Sequence, residues 1–434
     1  MIVMETDLSP PVAPTFAQQR DALQKGLGRA VMWAKAGLLD NNILLEGCLH
    51  DQRFDKVCEP LRAEWLWSMI QLTDNTGPFR TPILSALRSL EESTSIRQLC
   101  ALAYQYASHG DDAFRSQLYE IVKTTPIADS PWLGESEIVA LDGDEAILFA
   151  AEIRGKRLQC NDEEWDDIKL IYDGVEAHSE GHLVRLLSES ADSNVQFFFA
   201  AWQNSVAMKL NEDPKISYKD QMQLRSADDV IRASKEPDRP AWLRGWGQYA
   251  DEFSLNAVEA ALWKTSDLSE ISRLLQVFAR TPLPIFDRRL ILLCEHDDFD
   301  VCRRAINALE ENTHPEIRCY ALELLHGELA HLAVGLLIKN FEPGDEIHII
   351  DLLCKSESAP EELHRTCLDA IKVLEKNADT DGTSLALLAY FMTPCQICRG
   401  SASKLLEKYE TAPSWLIEEL RFDAETTYRA TSEK

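Results

Sequence analysis

The stretch His314-Pro315-Glu316-Ile317-Arg318-Cys319-Tyr320-Ala321-Leu322-Glu323-Leu324-Leu325 decides the fold, because its pattern returns further along the chain. Ile397-Cys398-Arg399-Gly400-Ser401-Ala402-Ser403-Lys404-Leu405-Leu406 carries the same Arg-x-x-Ala-x-x-Leu-Leu spacing, and Pro315 and Pro394 mark the two helix entrances. Weaker copies run from Val301-Cys302-Arg303-Arg304-Ala305 to Leu309, with Arg303 one position out of register, and from Cys367-Leu368-Asp369-Ala370 to Val373-Leu374. The marker alanines 305, 321, 370 and 402 are separated by 16, 49 and 32 residues, close to whole multiples of 16. A helix of about 12 residues and a turn of about four make one such unit. Two units form a hairpin that buries its apolar face only by stacking on neighbours. The small alanine lets adjacent helices approach, and the leucine pair fills the shared core.

Turn, Pro or Asp, Val or Ile, Arg, Ala and Leu-Leu are marks that resemble HEAT-like α-helical repeat proteins, over about residues 285–428. The resemblance implies an all-α chain: an α-solenoid of stacked antiparallel helix pairs with a curved surface for holding another macromolecule. The hairpin period of about 32 residues is shorter than the usual HEAT length of about 40–47. The Trp-x-x-Leu-Gly-x-x-Tyr pattern of tetratricopeptide repeats, which share the shorter period, is not found.

Upstream the period is helical too. Leu23, Leu27, Ala30, Val31, Ala34 and Leu38 predict one helix over 21–39, and Leu61, Trp65, Leu66, Met69 and Ile70 another over 60–72, with Pro60 in its first turn. No alternating strand and no Asn-Gly hairpin turn is legible. Pro10, Pro11 and Pro14, with few large apolar groups, predict a flexible tail over 1–18. The organisation read from these signals is helical repeats over 19–130, an acidic helical connector over 131–190, HEAT-like repeats over 191–428 and a short tail over 429–434.

Charge limits the function. The chain of 434 residues sets 44 Lys and Arg against 72 Asp and Glu, for a net charge of −28. A generic phosphate-binding surface needs an excess of cations, so nucleic acid is disfavoured. Between Asp142 and Asp167 nine acids face three bases, and this stretch points to a protein partner with a basic surface. No run of 18 apolar residues is present to span a membrane. Met1-Ile2-Val3-Met4-Glu5-Thr6-Asp7 lacks the basic start of a signal peptide. Eleven cysteines, an odd count set mostly in apolar stretches, predict a reducing, cytoplasmic setting.

Catalytic signatures are incomplete. Asp379-Thr380-Asp381-Gly382-Thr383 spells the aspartyl-nucleophile motif of haloacid-dehalogenase-like phosphatases, but it follows a helix where that chemistry needs a strand, so it reads as a polar turn. His178-Ser179-Glu180-Gly181-His182 displaces the glutamate of a zincin site and breaks its helix with glycine. Glu295-His296-Asp297 reads as an inter-helix turn. Cys395-Gln396-Ile397-Cys398 lies one repeat beyond His364-Arg365-Thr366-Cys367, so these four side chains are placed on neighbouring helices in a set that zinc accepts. Isolated cysteines in helices are more often packing, so no metal and no cofactor is assigned. Trp242, Trp246 and Trp263, with Arg239 and Arg244 nearby, form the densest aromatic–basic cluster, and Arg239, Trp242, Arg244 and Trp246 are the candidate partner contacts. The function expected is a non-enzymatic interaction scaffold or adaptor. The alternative is a DNA-binding or base-excision protein of the HEAT-like kind.

Overall fold

The computed structural model describes the chain except for residues 1–7, 74, 90–94, 126–131, 161–168, 178, 212–215, 238–239, 356–358, 378–381 and 426–434. All regular structure among the described residues is helical, with 26 α-helices and one short 3-10 turn. No helix among them is long and apolar enough to cross a membrane. The chain divides into two compact units. The central unit comprises Pro214–Ser414 with Met1–Leu8, and the terminal unit comprises Ser9–Asp213 with Trp415–Lys434. The stretch 191–428, read as one run of repeats, therefore contributes to both.

In the central unit the expected period is present. Helices begin at Phe299, Pro315, Ala330, Glu346 and Pro360, every 14 to 16 residues. The marker alanines Ala305, Ala321, Ala370 and Ala402 are all fully buried. Turn chemistry sets the helix starts. Asp298 accepts from the Val301 amide at 3.0 Å, His314 Nδ1 accepts from the Glu316 amide at 3.3 Å, and Pro315 and Pro360 fill first-turn positions. The repeat arginine has a role as well. Arg318 forks onto the buried carboxylate of Asp345, at 2.9 and 2.7 Å, and ties its helix to a later turn.

A second device joins successive turns. Asn312 and Asn340 are buried just past helix ends. Asn340 accepts from the His314 amide at 2.9 Å and donates to the carbonyls of Asn312 at 3.0 Å and Leu336 at 2.9 Å. Asn312 likewise accepts from the Leu283 amide at 3.1 Å and donates to the Ala308 carbonyl at 2.7 Å. Each amide thus satisfies one helix's last carbonyls and the backbone of the preceding turn.

The terminal unit corrects the reading of 21–39 as one helix. Phe16–Lys25 and Arg29–Lys35 are separate, because Gly26 at φ +75° closes the first of them. Thr15 and Gln18 form a capping box at the start of Phe16–Lys25, so this helix begins inside the stretch expected to be tail. The Trp33 indole donates to the Pro11 carbonyl at 3.1 Å, which fixes the approach to it. The helix over 60–72 is shorter than expected, running Ala63–Gln71, with Pro60 outside it. Helix Asp144–Cys160, from the acidic stretch, buries Ile147, Ala150 and Ala151 and packs on helix Ser193–Asn211, where Gly155 leaves room for the Asn194 backbone.

The end of the chain completes this unit. Glu419 receives both Arg29 Nε at 2.8 Å and Arg29 Nη2 at 2.7 Å, and both side chains are buried. Trp65 donates to the Phe422 carbonyl at 2.9 Å, and the Ala424 amide donates to the Gly26 carbonyl at 3.0 Å. Gly28 makes the contact feasible, since a Cβ there would stand 1.8 Å from the Glu419 carbonyl oxygen. A second buried pair, Glu135 with Arg154, lies elsewhere in the unit, with the guanidinium 3.5 Å from the Trp132 ring centre.

Candidate functional site

The central unit carries a groove of about 680 Å³. Helix Trp242–Tyr249 contributes Arg244, helix Phe299–Leu309 contributes Arg303 and Arg304, and helix Pro360–Lys376 contributes His364, Arg365 and Lys372. Glu310 and Asp369 are its acids. Four arginines and a lysine therefore face two carboxylates, in a chain whose overall charge is −28. The helical spacing explains the lining. Arg365, Asp369 and Lys372 lie on one side of their helix at intervals of four and three, and Arg303 and Arg304 project from an amphipathic helix whose other face holds Val301, Ala305 and Leu309.

Inside the groove the two acids hold part of the basic wall in place. Arg365 pairs with Glu310 and also with Asp369, the latter at 3.3 Å, and Lys372 pairs with Asp369 at 2.8 Å. Burial pushes the Glu310 carboxyl up from 4.5 to about 7; Arg365 and Lys372 oppose that shift, while Asp369 and Glu311 add to it. Between those two values the folded chain holds a proton that the unfolded chain has released. Stability attributable to Glu310 is therefore lost as pH rises through this window. Glu310→Gln is expected to flatten the decline of the melting temperature between about pH 5 and pH 8. A variant with the same slope as the parent chain would show that another group is responsible. At the outer side Arg244 is exposed, and its guanidinium pKa is depressed by partial burial and by the like charge of Arg280.

The cysteine and histidine side chains singled out in the sequence meet beside this groove. His364, Cys395 and Cys398 each offer a ligand atom, and these atoms all lie within 4.8 Å of one another. His364 Nε2 is 3.2 Å from Cys398 Sγ. Both cysteines are buried, at 4% and 5% exposure, whereas His364 reaches the groove lining. Cys367 is fully buried one turn along from His364, near enough to Cys398 to act on its charge. A hydrogen bond from Cys398, together with His364, brings the Cys395 thiol down to about 4 against the opposing effect of burial. The bond to Cys395, with burial, pushes Cys398 up in turn.

The structure separates the four residues proposed as partner contacts. Arg239 lies outside the described residues. Arg244 lines the groove. Trp242 is half-buried and stacks on Arg225, whose guanidinium is 4.2 Å from the ring centre. Trp246 is core, at 2% exposure, with its indole donating to the Arg225 carbonyl at 2.9 Å. Of the acidic stretch, residues 162–164, 166 and 167 lie outside the described residues. Asp142 accepts from Tyr119 at 2.7 Å, and Asp144 meets His182 at 2.9 Å, so these two acids are engaged within the unit. His178 and residues 379–381 of the phosphatase-like motif also lie outside the described residues. Asp298, two residues past His296, caps the next helix, as expected of an inter-helix turn.

Of the groove cations only Arg244 is among the contacts expected from the sequence. The adjacent Arg303-Arg304 and the Arg365-x-x-x-Asp369-x-x-Lys372 spacing were visible signals, but nothing local places them around Glu310. No protein-family model matches the chain, and no curated protein and no solved structure is significantly similar to it.

Proposed function

We propose that the central unit is a HEAT-like α-solenoid and that the chain is a non-enzymatic interaction protein, whose groove captures an acidic segment of a partner protein. The observation that carries this reading is the charge of the groove. Arg244, Arg303, Arg304, Arg365 and Lys372 line one concavity while the chain as a whole is strongly acidic. Concave sites bind by shape and by a few convergent polar groups, and guanidinium groups fork onto carboxylates. The acidic remainder repels long polyanions, whereas a short carboxylate-rich segment seated in the groove feels the nearby cations first, within the Debye length of about 10 Å at 0.1 M salt. The partner favoured here is therefore acidic at its contact point, in contrast to the basic partner expected from the acidic stretch. The eleven cysteines, none joined to another in a disulfide, suit a reducing, cytoplasmic setting.

The test is a titration of a fluorescent poly-glutamate peptide, with Arg244→Glu/Arg303→Glu as the comparison. Both residues are exposed, so the exchange leaves the core alone. Binding is expected to weaken by at least about tenfold, or roughly 1.4 kcal/mol, and to fall with added salt. Equal binding by the double variant would remove the groove from the account. Tight, salt-sensitive binding of duplex DNA would favour the nucleic-acid reading instead.

A further inference from the structure

The side chains of His364, Cys395 and Cys398 have the composition and the closeness of a metal centre. They come from two separate elements: His364 from helix Pro360–Lys376, and the cysteines from the start of helix Gln396–Lys408. Three ligand atoms of the right kinds within 4.8 Å of one another is a close approach to a coordination polyhedron. Zinc bonds sulfur at about 2.3 Å and imidazole nitrogen at about 2.0–2.1 Å. The 3.2 Å separation of His364 Nε2 and Cys398 Sγ is near the edge length such a tetrahedron requires. Cys367 is fully buried on the His364 helix, three residues further along, and lies outside this group of three.

We propose that His364, Cys395 and Cys398 hold a zinc ion, with the fourth position taken by solvent or an added ligand. Thiolate and imidazole donors select zinc over magnesium or calcium, which take oxygen. On binding, Cys395 and Cys398 coordinate as thiolates, any thiol proton they still carry goes to solvent, and the neutral imidazole gives its Nε2 lone pair to the metal. The ion pins the start of helix Gln396–Lys408 to helix Pro360–Lys376. Because His364 also lines the groove, it fixes part of the groove wall. The rival chemistry for the same sulfurs is a Cys395–Cys398 disulfide.

The experiment is metal analysis of untagged chain purified under reducing conditions without chelator, followed by cobalt titration of the metal-stripped chain. The expected content is about one zinc per chain. Cobalt is expected to give the ligand-field bands of a tetrahedral site together with thiolate charge-transfer absorption. Cys395→Ser and Cys398→Ser should lose the metal and the charge-transfer band, while Cys58→Ser, at an exposed thiol in the other unit, should keep both. If the serine variants fail to fold, the cobalt spectrum of the parent chain decides alone. A reduced parent chain that holds no zinc and gives no cobalt spectrum overturns the proposal. So does a metal-free chain whose mass is lighter by the two hydrogens of a disulfide.

Discussion

Glu419→Ala is expected to destabilise the terminal unit by about 3–5 kcal/mol, because it leaves the Arg29 guanidinium buried without its counter-charge. The pair is bidentate, with Arg29 5% and Glu419 0% exposed at the side chain. The cost of removing one partner is therefore mainly desolvation that the other no longer offsets. The damage should concentrate where the chain end docks. Amide hydrogen exchange is expected to accelerate in helices Arg29–Lys35 and Ala63–Gln71, the latter because Trp65 holds the Phe422 carbonyl. Removing both charges, as in Arg29→Met/Glu419→Leu, should recover much of the loss, since apolar replacement of a buried pair is often neutral or stabilising. Unchanged exchange in Glu419→Ala would mean that the chain end contributes little to this unit. Removal of residues 415–434 should cost more still, because it also strips the buried Leu416 and Leu420.

Trp246→Ala is expected to cost the central unit about 3–5 kcal/mol, the range for deleting a large buried aromatic. Its indole is buried in the core and donates to the Arg225 carbonyl at 2.9 Å. Two residues earlier, Arg244 is exposed, and Arg244→Glu should leave the unfolding free energy within about 0.5 kcal/mol of the parent while weakening capture of an acidic peptide. The neighbours thus separate stability from binding. Melts and titrations of the two single variants check this directly, and an Arg244→Glu chain that unfolds early would return Arg244 to a structural role.

These two residues also show how far the sequence carries the fold and the site. Helical period, the buried alanines and the Pro and Asp entrances are local features, and local features are what spacing reports. The same logic placed His364 and Cys398 on neighbouring helices, because one repeat separates their segments. Trp246 was harder, since a Trp beside an Arg fits an interface as well as a core, and only three-dimensional neighbours decide. Gly26 ended a helix that periodicity continued through, because its left-handed backbone conformation leaves the apolar spacing intact. The Arg29–Glu419 pair spans 390 residues and leaves no spacing signal. The groove is hidden for a related reason: its cations come from helices far apart in the chain, and the overall charge of −28 conceals a local excess of the opposite sign.

On the proposed reading this groove selects a short acidic peptide over a nucleic acid. Fluorescence anisotropy of labelled poly-glutamate and of a labelled DNA duplex, measured side by side at low salt, separates the two. The peptide is expected to bind, Arg244→Glu/Arg303→Glu to weaken it by about tenfold or more, and the duplex not to bind. A duplex that binds tightly while the peptide does not would contradict it.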